Sequence, residues 1–464
     1  MLISLGISFY HGEDDTFSFM VSIFTTIGAG LLLRGWGRDA ENSLSRRDAY
    51  LVVSLTWVVF SLFGTLPFFV GGYLPSFTDA YFETMSGFTT TGASIIDDVE
   101  SLPHGILFWR SLTQWIGGLG IVFFTIALLP SLVGGSVRVF SAEATGPIRT
   151  KLHPRLSTTA KWIWSIYLLL TLSCVGSYFL GGMSLFDSVN YAMSTTATGG
   201  FSTHNESMAY FNSPGLEYIC TLFTFLSGIN FSLLYAAIFK LRIKDLFRNS
   251  EFKLYIILVL AFTLFMMIQL IEANQYSIEQ SFRYGIFHVV NMVTTTSFFS
   301  DDLSMWPHVS WVIFVLCMFL GACSGSTSGG FKNVRCVMLL SIVRNEFRHI
   351  LHPNAMFPVK VNGATVPTQN RVTLLAFLVI FLIMCVIISF VMIAIGVDGI
   401  NAVNITLGCM SNVGPTLGSM FGPSMSWSDL PDLAKWFCSL MMLIGRLEIF
   451  TVLVIFTPDF WKGN

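Results

Sequence analysis

The stretch Phe82-Glu83-Thr84-Met85-Ser86-Gly87-Phe88-Thr89-Thr90-Thr91-Gly92-Ala93-Ser94 lies between two long hydrophobic spans. It is too polar to face lipid and too short to form a domain outside a membrane. Three further stretches repeat this arrangement of a short apolar segment followed by small polar residues: Ala192–Ser202, Asn291–Ser300 and Cys409–Thr416. These four stretches are termed the tracts. Their recurrence at intervals of about 100 residues predicts an internally repeated chain that builds a pore with four-part symmetry.

The composition indicates a membrane protein. The 464 residues are 53% hydrophobic and 11% charged, whereas soluble domains carry about 25% charged residues. Hydrophobic spans of about 20 residues, the length that crosses a bilayer, are predicted at 17–34, 48–71, 106–130, 160–181, 214–239, 254–271, 308–322, 371–396 and 433–456. From residue 48 onward they form four pairs, each with a tract between its members. We therefore expect the chain to contact the lipid bilayer and no nucleic acid.

The spans predict an all-α, multi-pass membrane protein with four helix–tract–helix repeats in pseudo-fourfold arrangement around one central pore. A short half-helix is expected before each tract, at Thr78–Gly87, Leu185–Ser194, Gln280–Met292 and Ile400–Met410. The predicted units are an N-terminal extra helix region at 1–47 and repeats at 48–133, 134–245, 246–352 and 353–464. The segment Met1–Tyr10 is too short to cross a bilayer alone and is expected to be the end of another helix.

The basic residues predict the orientation, because Lys and Arg concentrate on the cytoplasmic side of membrane proteins. If the tracts face outside, the basic segments 34–48, 131–161, 240–253, 332–371 and the C-terminal end lie inside. Of the 25 Lys and Arg residues, only Arg110, Arg283, Lys435 and Arg446 fall elsewhere. Arg110 lies near the tract-side end of its span, where its side chain is expected to extend to the membrane surface. The sequence therefore predicts a plasma-membrane protein with cytoplasmic basic segments.

The tracts have the composition of a cation filter. A permeating cation gives up hydration water when backbone carbonyls replace it, and Thr hydroxyls add further oxygens. Gly permits the backbone angles that turn carbonyls inward, and each half-helix directs the negative end of its dipole at a cation. No ring of acidic side chains occurs in the tracts, which argues against a divalent-cation pore. One such Ser/Thr/Gly run alone is more often a helix contact, but four at matched positions favour a filter.

The span that begins near Trp311 is interrupted at 321–332 by a Gly- and Ser-rich segment, termed the loop. An interior Gly costs a helix about 1 kcal/mol, and irregular backbone at membrane depth must be buried or line a wet cavity. We expect the loop beneath the tracts, either as a movable gate with Gly hinges or as a static, packed kink. The residues assigned to the gate are Gly321, Gly325, Ser326, Thr327, Gly329, Gly330, Lys332 and Arg446.

Arg446 lies deep in the last span, where a charged side chain costs at least about 2.5 kcal/mol unless it faces a polar or wet interior. It is expected either to oppose cation occupancy beneath the tracts and pair with the loop, or to bind carbonyls of the broken helix; both can hold. Glu448, two residues on, is not an obvious partner. The deep spans otherwise hold almost no titratable groups, so we expect neither an intramembrane enzyme nor an organic cofactor.

The four tracts, their helix pairs and the loop resemble the Trk/Ktr/HKT superfamily of potassium transporters. The segment Phe108-Trp109-Arg110-Ser111-Leu112-Thr113-Gln114-Trp115-Ile116-Gly117-Gly118 is similar to bacterial Trk membrane subunits. The resemblance implies that Thr91, Gly92, Thr198, Gly199, Thr296, Ser297, Val413 and Gly414 line the filter, with Thr90, Ala197, Thr295 and Asn412 just below. It also implies K⁺ as the permeant ion and the inner membrane in a Gram-negative bacterium. A homodimer and a cytosolic nucleotide-binding ring that controls the gate are implied as partners.

The chain departs from the family pattern in two places. Ser297 stands where the family has a filter Gly. Ser at this position resembles the sodium-permeable plant members, so Na⁺ permeation stays open beside K⁺ permeation. The Trk branch usually has two helices before the first repeat, whereas only one complete span is predicted here.

Overall fold

The structure is a computed structural model that describes residues 1–38, 45–120, 156–414 and 426–462. These residues are mostly helical. Their only β structure is a small antiparallel hairpin in which Lys360 pairs with Thr365 and Val361 with Ala364.

Each of the four predicted repeats contains a leading helix, a short tract helix that ends at the tract, and a closing helix. The leading helices are Arg46–Gly64, Leu156–Leu180, Ser250–Asn274 and Thr368–Ile395. The tract helices are Phe77–Phe88, Leu185–Ala197, Ile278–Val293 and Gly399–Ser411. The closing helices are His104–Leu119, Pro214–Ser227, His308–Leu320 and Asp432–Arg446. The four predicted half-helices are confirmed, with ends that differ by at most three residues.

Other helices precede, follow or connect these units. Leu2–His11 and Thr16–Trp36 come first, and the remaining helices are Leu66–Val70, Phe231–Phe239, Ile243–Arg248, Asn333–Leu351, Ile449–Leu453 and Pro458–Trp461. Single 3₁₀ turns lie at Ser207–Phe211, Leu303–Met305 and Val454–Phe456. The predicted repeat boundaries stay predictions, and the one between 133 and 134 lies outside the described residues.

Local signals in the sequence account for several helix starts. At the third tract helix, Ser277 Oγ accepts from the Gln280 N–H at 3.2 Å, and Gln280 Oε1 accepts from the Ser277 N–H at 3.3 Å. This reciprocal pair satisfies two of the N–H groups that lack a partner inside a helix. Asn249 caps the third leading helix, because its Oδ1 accepts from the N–H groups of Glu251 and Phe252.

Among the described residues, five helices are long and apolar enough to cross a membrane, or up to seven spans if each of two bent pairs counts as one. The predicted continuous spans 214–239 and 433–456 are wrong in this respect. The first bends by 103° before Phe231 and the second by 115° before Ile449. Asn230 starts a new helix by accepting from the Ser232 N–H at 2.8 Å, and Glu448 adopts a left-handed φ of 59° that ends the other.

All four closing helices therefore stop after a similar length. The first is followed by Gly120, whose φ is 87°, and the third by Gly321, whose φ is 68°. Positive φ values are readily adopted by Gly and disfavour continuation of an α-helix. The predicted span 106–130 is thus a helix only as far as Leu119; its residues 121–130, and residues 131–155 of the predicted basic segment 131–161, lie outside the described part of the chain.

The contacts between tract helices and closing helices form a closed cycle. Each tract helix contacts the leading and closing helices of its own repeat. The second, third and fourth also contact the closing helix of the preceding repeat, and the first contacts the closing helix of the fourth. On the periphery the leading helices expose apolar side chains, such as Leu172 at 61%, Leu264 at 59% and Phe390 at 72%. An apolar periphery of this kind fits a lipid environment.

Candidate functional site

The four tracts leave their helices through the same backbone turn, termed the tract turn. Its first residue has a left-handed φ of 54° at Thr90, 55° at Thr198, 60° at Thr295 and 56° at Asn412. In each tract the N–H of the next residue donates to a carbonyl five residues earlier: Thr91 to Ser86, Gly199 to Ser194, Thr296 to Asn291 and Val413 to Gly408, at 2.8–2.9 Å. A left-handed non-Gly residue costs of order 1 kcal/mol, and such strain at four matched positions points to a functional constraint.

This geometry corrects the predicted alignment of the second tract. Thr198, and not Ala197, takes the position of Thr90; Ala197 still belongs to the last turn of its helix. The equivalent triplet is therefore Thr198, Gly199 and Gly200, with the φ of 85° at Gly200 matching 81° at Gly92. Two consecutive Gly residues make the register ambiguous in the sequence, and only the helix end decides it.

Neighbouring tract turns touch through backbone atoms. A Cβ on Gly92 would lie 2.1 Å from the Gly199 carbonyl oxygen, and one on Gly200 would lie 2.1 Å from that of Thr296. A Cβ on Gly414 would lie 2.3 Å from the Gly92 carbonyl carbon. No side chain tolerates such distances, so Gly is required at these contacts. The tract turns consequently lie beside one another in the order fourth, first, second, third.

Ser297 takes the place of Gly in the third tract turn. Its φ is 71°, in the region that Gly92 and Gly200 also occupy. The predicted position of Ser297 is therefore matched by its backbone conformation. Among the described residues, the buried oxygens Thr90 Oγ1, Ser297 Oγ and Asn412 Oδ1 have no hydrogen-bond partner. Buried oxygens without a partner are unusual in proteins, where such groups are normally bonded to protein atoms, water or an ion.

Gln114, to which no role is assigned from the sequence, braces the second tract. Its Nε2 donates to the Gly199 carbonyl at 2.8 Å, and its Oε1 accepts from Ser194 Oγ at 2.6 Å and from the Phe201 N–H at 3.1 Å. The side chain is fully buried. A glutamine bound at both ends of its amide in this way fixes the conformation of the segment it touches.

Arg110 is buried at 2% exposure, so the expectation that it extends to the membrane surface is wrong. Its Nε donates to Glu83 Oε1 at 2.9 Å, and its Nη1 donates to the Ser202 carbonyl at 3.1 Å. Glu83 also accepts from Ser94 Oγ at 3.1 Å and from the Ile95 N–H at 3.0 Å. This ion pair therefore joins the C-terminal ends of the first and second tracts.

A second buried pair joins Arg283 Nη1 to Glu217 Oε2 at 2.6 Å, and Lys435 Nζ bonds Asp79 Oδ1 at 2.6 Å. The expectation of almost no titratable groups in the deep spans therefore overlooked these partners. Each pair joins a tract helix to a closing helix. Charges can be buried at such positions because each has an opposite charge within hydrogen-bond distance.

The predicted interruption at 321–332 is confirmed: the third closing helix ends at Leu320, and the next helix begins at Asn333. The loop lies against three tracts. Thr327 Oγ1 donates to the Thr196 carbonyl at 3.1 Å, and the Gly329 N–H donates to Thr295 Oγ1 at 2.8 Å. The Gly330 N–H donates to the Ser411 carbonyl at 2.9 Å. The loop is thus held directly to the C-terminal ends of the second, third and fourth tract helices.

Arg446 is bonded to a carbonyl of the loop that interrupts the third closing helix, a contact that both interpretations expect, and to carbonyls of the first closing helix, which neither expects. Its Nη1 donates to the Thr327 carbonyl at 2.8 Å. Its Nη2 donates to the carbonyls of Gly117 and Gly118, at 2.6 and 2.8 Å, near the end of the first closing helix. Its planar set of donors suits several carbonyls at once. Glu448 pairs instead with Arg335 at 2.6 Å.

Two cavities flank the tract turns and the loop in the described part of the chain. One, of about 90 Å³, is lined by Gly92, Gly200, Ser297 and Gly414 together with Asp97 and His204. The other, of about 150 Å³, is lined by loop residues 324–326 and 328–330, by Asn412, and by Lys332, Arg335 and Arg446. The tract turns and the loop therefore lie between a tract-side cavity and a loop-side cavity that holds several cationic side chains.

The remaining loop residues assigned from the sequence also lie at this place. Gly321 and Gly330 approach each other so closely that a Cβ on Gly330 would lie 2.8 Å from the Gly321 Cα. Gly325 and Ser326 line the loop-side cavity. The Lys332 ammonium donates to the Ser328 carbonyl and is buried. The structure thus brings all the assigned gate residues together beneath the tract turns.

Comparison with known proteins assigns the chain to a family. The sequence model of TrkH, described as cation transport protein, matches residues 16–462. The chain belongs to the TrkH family of cation transport proteins. A Trk system potassium uptake protein TrkH from Halomonas elongata is 37% identical over 447 residues, which cover 96% of this chain and 92% of that one. The protein of the same name from Escherichia coli is 35% identical over 448 residues, with the same coverage.

A solved structure extends the similarity to the fold. The crystal structure of the potassium transporter TrkH from Vibrio parahaemolyticus matches with a TM-score of 0.89 and 33% identity, covering 99% of this chain and 96% of that chain. The resemblance to Trk membrane subunits is therefore confirmed. Because the TrkH family consists of transport proteins, the expectation that the chain is not an enzyme is confirmed as well.

Proposed function

We propose that the chain is the ion-conducting membrane subunit of a potassium-uptake system and that K⁺ passes between its four tract turns. The observation that carries this proposal is that four turns of the same conformation, each at the C-terminal end of a half-helix, lie beside one another. Carbonyl oxygens at such turns replace hydration water, and the helix ends favour a cation. The names of the relatives, Trk system potassium uptake proteins, support K⁺ as the substrate.

The filter residues proposed here are Thr90, Thr91, Gly92, Thr198, Gly199, Gly200, Thr295, Thr296, Ser297, Asn412, Val413 and Gly414. The closed cycle of helix contacts supports a pseudo-fourfold arrangement of the repeats around one pore. An inside-negative membrane potential contributes about 2.3 kcal/mol per 100 mV for a monovalent cation. Uptake through this chain therefore needs no chemistry of its own.

The loop is proposed to be the gate. It lies between the tract turns and the loop-side cavity, and its Thr327 carbonyl accepts from the cationic side chain of Arg446. In this position the loop and Arg446 oppose cation movement toward the loop-side cavity. Gly residues with positive φ at 321, 325 and 330 provide positions at which the backbone can change direction.

The proposed orientation places the tract-side cavity outside and the basic segments in the cytoplasm, with the chain spanning the plasma membrane. The family resemblance supports a homodimer and a cytosolic nucleotide-binding ring as partners. The basic face formed by 240–253 and 332–371 is the proposed docking face for that ring. The nucleotide would bind the ring, and this chain would supply the pore.

Ser297 supports a second candidate, a transporter that also conducts Na⁺. Its hydroxyl is buried without a described partner at the position where Gly92 and Gly200 have no side chain. An added oxygen at one of four equivalent positions changes both the size and the ligand set of a cation site. The two candidates differ in the ratio of K⁺ to Na⁺ permeability.

Ion flux in liposomes containing the purified chain tests both candidates. Reversal potentials in opposed K⁺ and Na⁺ gradients give the permeability ratio for the native chain and for Ser297→Gly. We expect K⁺ conduction by both and a several-fold higher K⁺ preference in the variant. Ser101→Gly, an exposed residue on the tract side, is the matched control. An absence of K⁺ flux would overturn the proposed function, and an unchanged ratio would remove Ser297 from the filter.

Shortening the loop tests the gate. Deletion of residues 325–329 removes the segment that contacts the tracts and Arg446, so flux without any cytosolic partner should rise. The permeability ratio reports in the same recordings whether the tract turns are intact. Flux equal to that of the native chain would show that the loop is a static kink.

A further inference from the structure

The buried carboxylate of Glu251 has no part in the function described so far. It lies in the first turn of the third leading helix and is only 4% exposed. It accepts from the backbone N–H of Ser324, from Ser324 Oγ at 3.1 Å and from the Val334 N–H at 3.1 Å. A buried carboxylate is costly unless its oxygens are hydrogen-bonded. The donors that satisfy Glu251 belong to the loop and to the helix that follows it.

These donors lie at the two ends of the loop. Ser324 follows the break at Gly321, and Val334 is in the first turn of the helix Asn333–Leu351. One carboxylate therefore holds both ends, while the middle of the loop contacts the tracts and Arg446. Asn230 reinforces the first end, because its Nδ2 donates to the Ser324 carbonyl at 2.5 Å. The neighbouring Phe231 N–H donates to the Gly325 carbonyl at 3.0 Å. Charge-assisted hydrogen bonds to backbone N–H groups are among the stronger ones.

The same helix start is bonded to the β hairpin of the basic face. Asn362 Oδ1, at the hairpin turn, accepts from the Ser250 N–H at 2.7 Å and from Ser250 Oγ at 2.8 Å. Ser250 precedes Glu251 directly. A continuous series of contacts thus runs from the exposed hairpin through Ser250 and Glu251 to both ends of the loop.

We propose that Glu251 is the positioning residue of the gate: it fixes the ends of the loop so that the middle lies beneath the tract turns, and the hairpin at 360–365 shifts the loop through it. This inference rests on the proposed gate. It assigns a route by which a protein bound to the hairpin changes ion flow without touching the loop. Within the described part of the chain, the hydrogen bonds of Glu251 go to Ser324 and Val334 and not to a tract turn, so it acts on the amount of flux and leaves the choice of ion unchanged.

The test is ion flux in liposomes by the full chain without a partner. Glu251→Gln weakens the bonds to Ser324 and Val334, and flux should rise on the order of tenfold with the K⁺/Na⁺ permeability ratio unchanged. Asn362→Ala should raise flux about threefold, a smaller effect, because it removes only neutral hydrogen bonds from the start of the third leading helix. In the double variant the two effects should combine to less than their product, since they act through one helix start. Glu346→Gln, an exposed residue of the helix after the loop, is the matched control.

Deletion of residues 325–329 distinguishes a failure of the positioning role of Glu251 from a failure of the gate role of the loop. If the deletion raises flux and Glu251→Gln does not, the positioning role is overturned and the gate stands. If neither raises flux, both are overturned. A permeability ratio that changes with Glu251→Gln would also overturn the inference. Should that variant not reach the membrane, Ser324→Ala, which removes only the hydroxyl donor, must raise flux about threefold.

Discussion

The tract turns and the loop are both irregular backbone inside a helical protein, but different contacts determine their shapes. Each tract turn follows from its own helix end, through a left-handed first residue and an N–H bonded five residues back. Glycine against a neighbouring carbonyl then fixes the distance between turns. The loop has no such local pattern. Side chains far away in the sequence hold it, chiefly Glu251 of the third leading helix and Arg446 of the fourth closing helix.

The difference indicates how substitutions in the tract turns and in the loop should affect ion flux. Backbone contacts of the tract turns cannot be changed without moving several segments, so the proposed filter is rigid. The loop is held by side-chain bonds that can be broken one at a time, and such bonds are worth about 0.5–3 kcal/mol each. A region held in this way can be displaced by a regulatory partner. We expect tract changes to abolish or alter conduction and loop changes to increase it.

The largest effect is expected for Gly92→Ala. The new Cβ would lie 2.1 Å from the Gly199 carbonyl oxygen, and the φ of 81° is strained for any side chain. The first and second tract turns must separate, so K⁺ flux in liposomes should fall by at least about tenfold. Gly176→Ala is the control, since nothing lies within 4 Å of a Cβ there. Near-native flux in Gly92→Ala would contradict the tight packing of the turns.

Replacement of Arg446 tests whether side-chain bonds hold the loop in place. Arg446→Gln loses most of the bonds to Thr327, Gly117 and Gly118, so the loop is released and partner-independent flux should rise about tenfold. Arg446→Lys keeps the charge but loses the planar guanidinium with its several donors, so its flux should lie between those of the native chain and of Arg446→Gln. Purified amounts and the elution profile control for folding. A fall in flux in both variants would mean that Arg446 supports the pore instead of the closed loop.

Gln114 is a side chain that holds one of the tract turns, whose other contacts are formed by backbone atoms. Gln114→Leu keeps the volume and removes the bonds to Gly199, Ser194 and Phe201. The second tract turn should then relax, lowering the K⁺/Na⁺ permeability ratio about threefold while flux persists. Gln369→Leu, at an exposed position, is the matched control. An unchanged ratio would show that the glycine contacts alone define the second turn.

The sequence predicts what depends on short segments. The four half-helices and the interruption at 321 follow from length, periodicity and Gly content, and the described residues confirm them. Hydrophobic spans follow in the same way, but those predicted at 214–239 and 433–456 are bent and that at 106–130 is a helix only as far as Leu119. Ser297 is likewise located by its place after Thr296. These features need no knowledge of which segments meet in space.

Features that depend on distant partners were missed or misplaced. Gln114 and Gly199 are separated by 85 residues, and Glu251 and Ser324 by 73, so no local pattern links them. The expected surface position of Arg110 failed for the same reason, because its partner Glu83 lies on another helix. The second tract was placed one residue early, since two Gly residues look alike until the helix end is known.

The smallest effect is expected in the segment that follows the second tract, where His204 stacks on Tyr210 at 3.5 Å. Burial lowers the pKa of His204, but hydrogen bonds and charges of Asp187 and Glu100 outweigh it, so the pKa is raised above its ordinary value. The protonated form therefore stabilises the fold. This contribution is complete below the unfolded pKa of about 6.5 and is lost as the pH rises through the higher folded pKa.

Thermal unfolding of the purified protein in detergent measures this contribution. Between pH 6 and pH 9 the native chain should lose about 1 °C more in melting temperature than His204→Gln does, a small shift because the pair is partly exposed and the chain is long. Comparing the two slopes cancels the other histidines, including His104, which bonds Glu13 at 2.7 Å. The permeability ratio should not follow the pH in either protein, because the tract turns are held by backbone contacts. A pH-dependent ratio that disappears in His204→Gln would show that this segment reaches the filter and that the rigid region is less isolated than its contacts indicate.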